Sequence, residues 1–442
     1  MTASSPHPSA VRPRGRAVLP IPGLGVRLAP AATLLLSACA LAAACGGRGG
    51  PPFVARDSAG VRIAESRAPA WGKGQGFAVA DTPELSIGVV RGDSAYQLYQ
   101  VRGATRLSDG TIVVADGGTQ ELRYYDADGA FVRAAGGRGG APGEFQALLE
   151  IVRIPGDSIV AFDWRLRRLS VFGPDGGLAR TVSLASDAGQ APLMLAGALD
   201  GGHLLAMRQS ALGSASIPEG YARDTMRLVE LDDSAARTAD LGPFPGGERF
   251  VQITRRNGKI ASMQMMTLPF SRNAYVAVGD GGVWAGSSDR YEIRAFGPGG
   301  KLLEIVRRTD ATPTPVTDAM KSRAVEARLA SRKRDNPNLS ASDLTAARKF
   351  LEALPVPPTA PTFTTLRVDP RGNLWVSDFR PPWAHGDPSR WSVFSPDGRW
   401  LGTVTVPAGL DVYDIGNHYV LGLRKDDLGV EHVEMYALSR KE

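Results

Sequence analysis

The sequence contains very little cysteine and histidine. Of its 442 residues only two are cysteine and five are histidine. Both cysteines lie before residue 46, so the remainder of the chain has no disulfide, no thiol nucleophile and no cysteine-based metal site. A folded domain of several hundred residues can bury enough apolar surface without disulfides. The histidines after residue 45 show no metal-ligand spacing and no HExxH motif; they are His203, His385, His418 and His432.

Long apolar runs are also missing, apart from an alanine-rich stretch from Leu28 to Ala44. This stretch follows a basic segment and is short for a transmembrane helix, which is typical of an export signal. The segment Leu36–Cys39 resembles the lipobox of bacterial lipoproteins, while Ala42–Cys45 precedes a glycine-rich segment but lacks the leucine. The alternatives of lipidation at Cys39, lipidation at Cys45, an ordinary cleaved signal peptide or an uncleaved anchor remain open. We predict a lipoprotein signal peptide over 1–45 and a flexible tether over 46–55. The protein would then be exported and lipid-anchored in the bacterial cell envelope, facing the periplasm or the exterior.

Acidic residues are absent from the leader, and this explains the basic isoelectric point of about 9.4. Four of the excess positive charges belong to Arg12, Arg14, Arg16 and Arg27. Without them the net charge is about +2, with both signs interspersed along the chain. A nucleic-acid partner is therefore not expected, since such a partner requires a concentrated basic surface.

Glycine and proline are abundant, with 52 and 32 residues, and many of them belong to an internal repeat. Each strong copy is an alternating strand that ends in a Pro-Asp-Gly-like turn, in which glycine supplies the positive φ of a hairpin. Similar runs before and after each copy give four strands per unit. The four strong copies are 122–129, 169–176, 293–300 and 391–398, and two weaker ones are 228–235 and 433–440.

Six units of four strands predict an all-β protein, a six-bladed β-propeller of four-stranded antiparallel blades with a small helical insertion. The propeller would cover 56–442. The last unit lacks a fourth strand, and the segment 84–90 is a strand without a blade of its own. Pairing of the two would close the ring and protect its edges.

The pattern Gly372-x-Leu-Trp-Val-x-Asp378, followed by a strand and Pro396-Asp397-Gly398, resembles the NHL-like six-bladed propeller lipoproteins of bacteria. The glycine-rich segment from Gly136 to Phe145 resembles the link between blades in that family. The resemblance covers about residues 55–440 and implies a propeller, but no particular activity. Blade 3 departs from the pattern at Ala206–Arg208.

Interruptions of the repeat mark insertions. The segment 249–266 predicts a hairpin that turns at Asn257-Gly258. The largest insertion, 310–361 between blades 4 and 5, predicts two helices, one capped by Thr317 and the other by Ser340 or Ser342. The first helix is basic, which suits either a solvated surface or an arm for an acidic partner or an anionic membrane.

Residues with obvious chemistry are few. Asp116, Asp163 and Asp378 occupy equivalent positions at the ends of second strands and are candidate metal ligands, with Ca²⁺ as the cofactor considered. A carboxylate at such a position also commonly caps the following turn. The loop that contains Phe379, Arg380, Trp383 and His385 is a candidate binding surface, although Trp383 could instead pack on a neighbouring blade.

Two functions follow from these features. The first is a non-catalytic binding or scaffold module for a protein, peptide or glycan, acting as a monomer tethered to the membrane. The second is a metal-dependent lyase or lactonase-type hydrolase with its site in the propeller channel. Because the predicted fold is complete and the sequence has no recognisable catalytic set, we favour the non-catalytic role, with the enzyme as the alternative. This preference rests largely on analogy, since fold alone does not fix function.

Overall fold

The structure is a computed structural model that describes residues 51–184, 193–209, 219–279, 281–384 and 386–441. The strands of these residues form six separate sheets, and the predicted β-propeller fold is confirmed. His385 and both cysteines lie outside the described residues.

Four short strands precede the first complete blade. They are β1 (Phe53–Ser58), β2 (Val61–Ser66), β3 (Gly76–Val79) and β4 (Leu85–Ile87). Blades 1 to 3 follow: β5 (Val101–Arg106), β6 (Ile112–Asp116), β7 (Glu121–Tyr125) and β8 (Phe131–Gly136); β9 (Leu148–Ile154), β10 (Ser158–Asp163), β11 (Arg168–Phe172) and β12 (Leu178–Ser183); and β13 (Leu193–Ala198), β14 (Leu204–Gln209), β15 (Gly220–Leu231), β16 (Arg237–Arg256) and β17 (Lys259–Thr267).

Blades 4 to 6 continue in the same order along the chain. Their strands are β18 (Ala274–Gly279), β19 (Gly282–Ser287), β20 (Glu292–Phe296) and β21 (Leu302–Arg308); β22 (Phe363–Val368), β23 (Leu374–Asp378), β24 (Ser389–Phe394) and β25 (Trp400–Val406); and β26 (Asp411–Ile415), β27 (Tyr419–Lys425) and β28 (Glu431–Lys441). The helices α1 (Asp318–Asp335) and α2 (Ala341–Ala353) lie between blades 4 and 5.

The first strand of each blade is innermost. These strands contact one another in the order β5, β9, β13, β18, β22, β26 and back to β5, so they form a closed ring around a central channel. Blade 2 therefore lies opposite blade 5, and blade 1 lies opposite blade 4.

The aromatic residue before each hairpin turn of the repeat fills the core between two blades. Tyr125, Phe172, Phe296 and Phe394 are all buried, and each packs in a cluster with residues of the preceding blade. Burying such a side chain contributes about 2 to 3 kcal/mol. The repeat therefore encodes the contact between blades as well as the hairpin.

The ring closes as expected through the segment before blade 1. β4 pairs antiparallel with β28, with Leu85 opposite Met435 and Ile87 opposite Val433. The paired strand is shorter than the predicted 84–90, because Gly88 leaves the extended conformation with a φ of +151°. β3, which the repeat does not predict, pairs with the remainder of β28 from Leu438 to Lys441. The weak copy at 433–440 is thus entirely strand and contains no turn.

The hairpin β1–β2 enlarges blade 4 to six strands. β2 pairs parallel with β21, with Ser66 opposite Arg308. The backbone N–H of Arg67 donates to the carbonyl of Pro52 at 2.8 Å, and that of Thr309 donates to the carbonyl of Ser66 at 2.9 Å. The first strand therefore begins at Phe53, inside the segment predicted as a tether.

The helical insertion has the predicted caps. The Thr317 side chain accepts from the Met320 amide, and Ser340 with Asp343 forms a capping box at α2. The helices pack on each other and on blade 3 through Leu268, Val325 and Leu351. Neither helix is long and apolar enough, among the described residues, to cross a membrane.

The predicted hairpin in blade 3 turns where expected. Arg256 pairs with Lys259, and Asn257 and Gly258 both have positive φ, as a type I′ turn requires. The described part of blade 3 therefore has five strands, with β15 and β16 longer than their counterparts in the other blades.

Candidate functional site: a channel and two adjoining cavities

The central channel is a cavity of about 420 Å³ lined by all six innermost strands. Successive side chains of a strand point to opposite faces, so only some residues of each inner strand can face the channel. The ionisable groups that line it include Glu150 on β9, Arg367 on β22 and Asp414 on β26.

Arg367 is fixed by the backbone of two blades. Its Nη1 donates to the carbonyl of Leu366 at 2.8 Å, Nη2 to Val412 at 2.9 Å and Nε to Tyr413 at 3.2 Å. A guanidinium carries five N–H groups, so these bonds leave donors for a ligand. Burial lowers the pKa of Arg367, and the nearby acidic groups oppose that shift.

Glu150 is the acidic counterpart on the opposite blade. Burial raises the pKa of its carboxyl to about 7, although the charge of Arg367 acts in the other direction. The side chain can therefore be neutral or charged near neutral pH. A carboxyl of this kind can either donate or accept a hydrogen bond from a ligand in the channel.

The other channel carboxylate, Asp414, is already bonded to protein groups. Its Oδ2 accepts from Thr105 Oγ1 at 3.2 Å, from the Arg106 amide at 3.3 Å and from Tyr419 Oη at 3.0 Å. It joins blade 6 to blade 1, and its role in the structure is to hold the ring together.

A groove of about 560 Å³ lies between blades 1 and 2. Two aromatic side chains on its wall are solvent-exposed, Tyr99 at 64% and Trp164 at 40%. The polar residues beside them are Gln100, Arg102, Gln120, Arg138 and Gln146. Exposed aromatic faces next to amide and guanidinium groups are typical of surfaces that bind polar ligands.

Two glycines place Tyr99 in the groove. The Gly118 amide donates to the Tyr99 carbonyl at 2.8 Å, and the Gly117 amide donates to the Gln100 carbonyl at 3.1 Å. A Cβ on Gly118 would lie 2.8 Å from the Tyr99 ring, so only glycine allows this approach. Gln100 has a φ of +55°, an unfavourable conformation for a residue with a side chain.

A second pocket, of about 430 Å³, lies between blades 5 and 6. Its wall contains Arg380, Thr365 and Asp411, and it shares Arg367 and Tyr413 with the channel. The groove between blades 1 and 2 shares Arg102 with the channel. The channel therefore adjoins both the groove and the second pocket.

The structure places the three predicted aspartates at the ends of second strands on separate blades. Asp116 accepts from the amides of Gly118 at 2.8 Å and Thr119 at 3.0 Å. It also accepts from the Tyr99 amide at 3.3 Å and lies 3.5 Å from Arg123. Its carboxylate therefore caps the turn and helps to position the groove.

Asp163 has the same kind of environment in blade 2. It accepts from the amides of Gln146 at 2.6 Å, Ala147 at 2.9 Å and Leu166 at 2.7 Å. Asp378 instead accepts from Ser392 Oγ at 3.3 Å and lies 3.7 Å from both Arg308 and Arg390. Burial raises the pKa of Asp378. Among the described residues, no three His, Cys, Asp or Glu side chains are grouped so that they could hold a metal ion.

The predicted binding loop of blade 5 is divided between two environments. Arg380 lines the pocket between blades 5 and 6 and donates to the Asp387 carbonyl at 2.6 Å. Trp383 packs against Phe270, with ring centres 6.1 Å apart, and under the Arg323 guanidinium at 4.5 Å. Phe379 joins the same cluster, with its ring centre 6.2 Å from that of Phe270.

Tyr99, Trp164, Glu150 and Arg367 were not singled out from the sequence. The sequence feature that could have identified Glu150 is its charge between two apolar neighbours, Leu149 and Ile151, in the first strand of a blade. The groove residues lie in loops outside the repeat, where strand periodicity gives no information.

No family model matches the chain, and no curated protein matches it. The fold is similar to solved structures. One is a member of the DUF4221 family from Bacteroides vulgatus, with 8% identity, a TM-score of 0.46 and coverage of 83% of this chain and 100% of the other. Another is a gluconolactonase from Xanthomonas campestris, with 14% identity, a TM-score of 0.38 and coverage of 78% and 87%. A third is virginiamycin B lyase from Staphylococcus aureus, with 8% identity, a TM-score of 0.37 and coverage of 82% and 99%. The NHL-like lipoprotein assignment stays a prediction.

Proposed function

We propose that the protein is an exported, lipid-anchored propeller that binds an extended polar ligand, a glycan or a peptide, along the joined cavities. The observation that carries this proposal is the exposed pair Tyr99 and Trp164 in a groove that shares the lining residue Arg102 with the channel. Stacking on these rings would supply affinity, and Arg102, Gln146 and Arg138 would bond the polar groups of the ligand.

The chemistry of the walls favours a neutral or acidic ligand. Five arginines line the three cavities, Arg102, Arg138, Arg153, Arg367 and Arg380. The carboxyl groups there are fewer. They are those of Glu150, Asp411 and Asp414. Asp414 is bonded within the protein, and Glu150 can be protonated near neutral pH.

The alternative, a metal-dependent lyase or lactonase-type hydrolase, requires several metal ligands in the channel. Asp116 and Asp163 instead accept hydrogen bonds from backbone amides. The geometry therefore supports the binding role better. The lipid anchor at Cys39 or Cys45 remains part of the proposal, as does export.

Binding is tested by titrating the full chain with a panel of neutral oligosaccharides, acidic oligosaccharides and short peptides in a calorimeter. Tyr99→Ala and Trp164→Ala should each weaken binding of the ligand that is found at least about tenfold. Phe131→Ala is the matched control, since this aromatic residue is 38% exposed on the outer strand of blade 1. If the wild-type protein and the three variants bind the ligand with equal affinity, the groove is not part of the binding site.

A further inference from the structure

The hairpin β16–β17 projects beyond the other described strands of blade 3. β15 pairs with β16 as far as Val251, and past this point, among the described residues, β16 and β17 pair only with each other. Five residues on β16, from Gln252 to Arg256, extend the hairpin by about 17 Å.

The hairpin carries charge of one sign. No aspartate or glutamate occurs between Glu248 and Asp280. Arg255, Arg256 and Lys259 surround the turn, and all three are exposed. Three positive charges therefore lie close together at the tip of the hairpin.

One face of the hairpin below this tip is apolar. Residues paired directly across two strands share a face, and here Ile253 is opposite Met263 and Val251 is opposite Met265. Met263 is 40% exposed and Met265 36%, and Ile260 beside the turn is 54% exposed. Exposed apolar side chains next to cations are typical of segments that lie in the interface of an anionic bilayer.

The base of the hairpin is held by the helical insertion. Arg328 of α1 donates to the Thr267 carbonyl at 2.9 Å, and Leu268 packs with Val325 and Leu329. The last turn of α1 adds three exposed cations, Arg332, Lys333 and Arg334. The helix that holds the hairpin is therefore basic as well.

The chain enters the propeller next to this insertion. The carbonyl of Pro52 accepts a hydrogen bond from the Arg67 amide. The carbonyl of Ser66, the residue before Arg67, accepts one from the amide of Thr309, and the insertion follows Thr309. Only seven residues lie between Cys45 and Phe53, so the two are at most about 28 Å apart along an extended chain. A lipid on Cys45 would thus hold this side of the propeller near the bilayer.

We infer that the hairpin tip, Arg255–Ile260 with Met263 and Met265, docks on the anionic phospholipid surface of the membrane that carries the anchor. This inference rests on the lipid anchoring in the proposed function. It gives the propeller a second contact with the bilayer and hence a fixed orientation relative to it.

The test uses the full chain with Cys39→Ser and Cys45→Ser. Because these are the only two cysteines, Ile260→Cys in this background gives a unique thiol for an environment-sensitive fluorophore. We expect a blue shift of its emission with vesicles containing one part phosphatidylglycerol to three parts phosphatidylcholine. Pure phosphatidylcholine vesicles should give no shift, and 0.5 M NaCl should reverse the shift. The control label is Val132→Cys, which is 49% exposed on blade 1 opposite blade 4, and should not respond.

The double variant Arg255→Glu/Arg256→Glu should need at least about tenfold more lipid to reach half of the maximal emission shift. Arg165→Glu/Lys301→Glu, the same change of charge elsewhere, should leave this lipid concentration unchanged.

Three results would each overturn the inference: equal shifts with both lipid mixtures, no effect of Arg255→Glu/Arg256→Glu on the lipid dependence, or a shift with soluble polyglutamate but not with vesicles. The salt titration needs no charge reversal, so it stays decisive if Arg255→Glu/Arg256→Glu disturbs folding. Lipid attachment is checked separately from the mass of the mature wild-type protein, so its absence would count against the anchor and not against the hairpin.

Discussion

Glu150 and Arg367 line the same channel from opposite blades, Glu150 on β9 of blade 2 and Arg367 on β22 of blade 5. The guanidinium is held by three carbonyls, whereas the carboxyl has a raised pKa. The pair combines a fixed cation with an acid whose charge depends on pH.

This arrangement predicts how stability changes with pH. The pKa of Glu150 is about 7 in the folded protein and near 4.5 in the unfolded chain. The folded state therefore holds the proton of the Glu150 carboxyl more tightly than the unfolded chain does. The resulting contribution to the free energy of unfolding is fully present below pH 4.5 and is lost as the pH rises through 7. Its size is at most roughly 3 kcal/mol. Glu150→Gln should flatten the decline in melting temperature between pH 5 and 8, as followed by circular dichroism. Parallel curves for the two proteins would contradict the assignment.

Ring closure can be weakened at a single glycine. Gly88 has a φ of +151°, and an added Cβ would lie 2.3 Å from the Glu431 carbonyl oxygen. We expect Gly88→Ala to lower the free energy of unfolding by about 2 to 3 kcal/mol in urea titration. Gly60→Ala is the control, because Gly60 has a φ of +78° and no atom near its added Cβ. Both variants carry backbone strain, but only the first should speed hydrogen exchange in β4. Equal exchange would show that closure does not depend on Gly88.

Trp383 is expected to be a structural residue. It joins blade 5 to Phe270 and to Arg323 of α1. Trp383→Ala should cost about 2 kcal/mol and expose the helical insertion to limited proteolysis before the blades are cut. Trp383→Phe should restore most of the protection. If Trp383→Ala leaves proteolysis unchanged but abolishes ligand binding, the residue belongs to the binding surface.

The predicted aspartates give a matched test of capping against metal binding. Asp163→Ala removes the acceptor of three amides and should cost about 2 to 4 kcal/mol, with Asp163→Asn costing less. Excess chelator or added Ca²⁺ should move the melting temperature of the wild-type protein by less than about 1 °C. A larger rise with Ca²⁺ that Asp163→Ala abolishes would favour a metal site.

The blades were predictable because their turns and strands are encoded locally. Asn257-Gly258 specifies its hairpin, and Thr317 and Ser340 specify helix starts, without information from elsewhere in the chain. The pairing of β2 with β21 depends on residues about 240 positions apart, and nothing in the hairpin β1–β2 identifies its partner.

The candidate site was less predictable for the same physical reason. Glu150 and Arg367 belong to different blades, and their common cavity exists only when the ring is closed. Arg380 was found because its loop is rich in aromatic and charged residues. Trp383 in that loop is instead part of a core that also needs Phe270, which lies over a hundred residues earlier.

The placement of β1 to β4 has a consequence for how the polypeptide reaches its final form. The hairpin β1–β2 precedes β21, with which β2 pairs, and β3 and β4 precede their partner β28 by most of the propeller. During synthesis or passage across a membrane, the hairpin must wait for blade 4, and β3 and β4 remain without their native partner until nearly the whole chain is present. Pairings of this range are slow to form. Folding should therefore end when the amino-terminal strands pair with a nearly complete ring. In a chain truncated before β28, β3 and β4 have no partner and the ring cannot close.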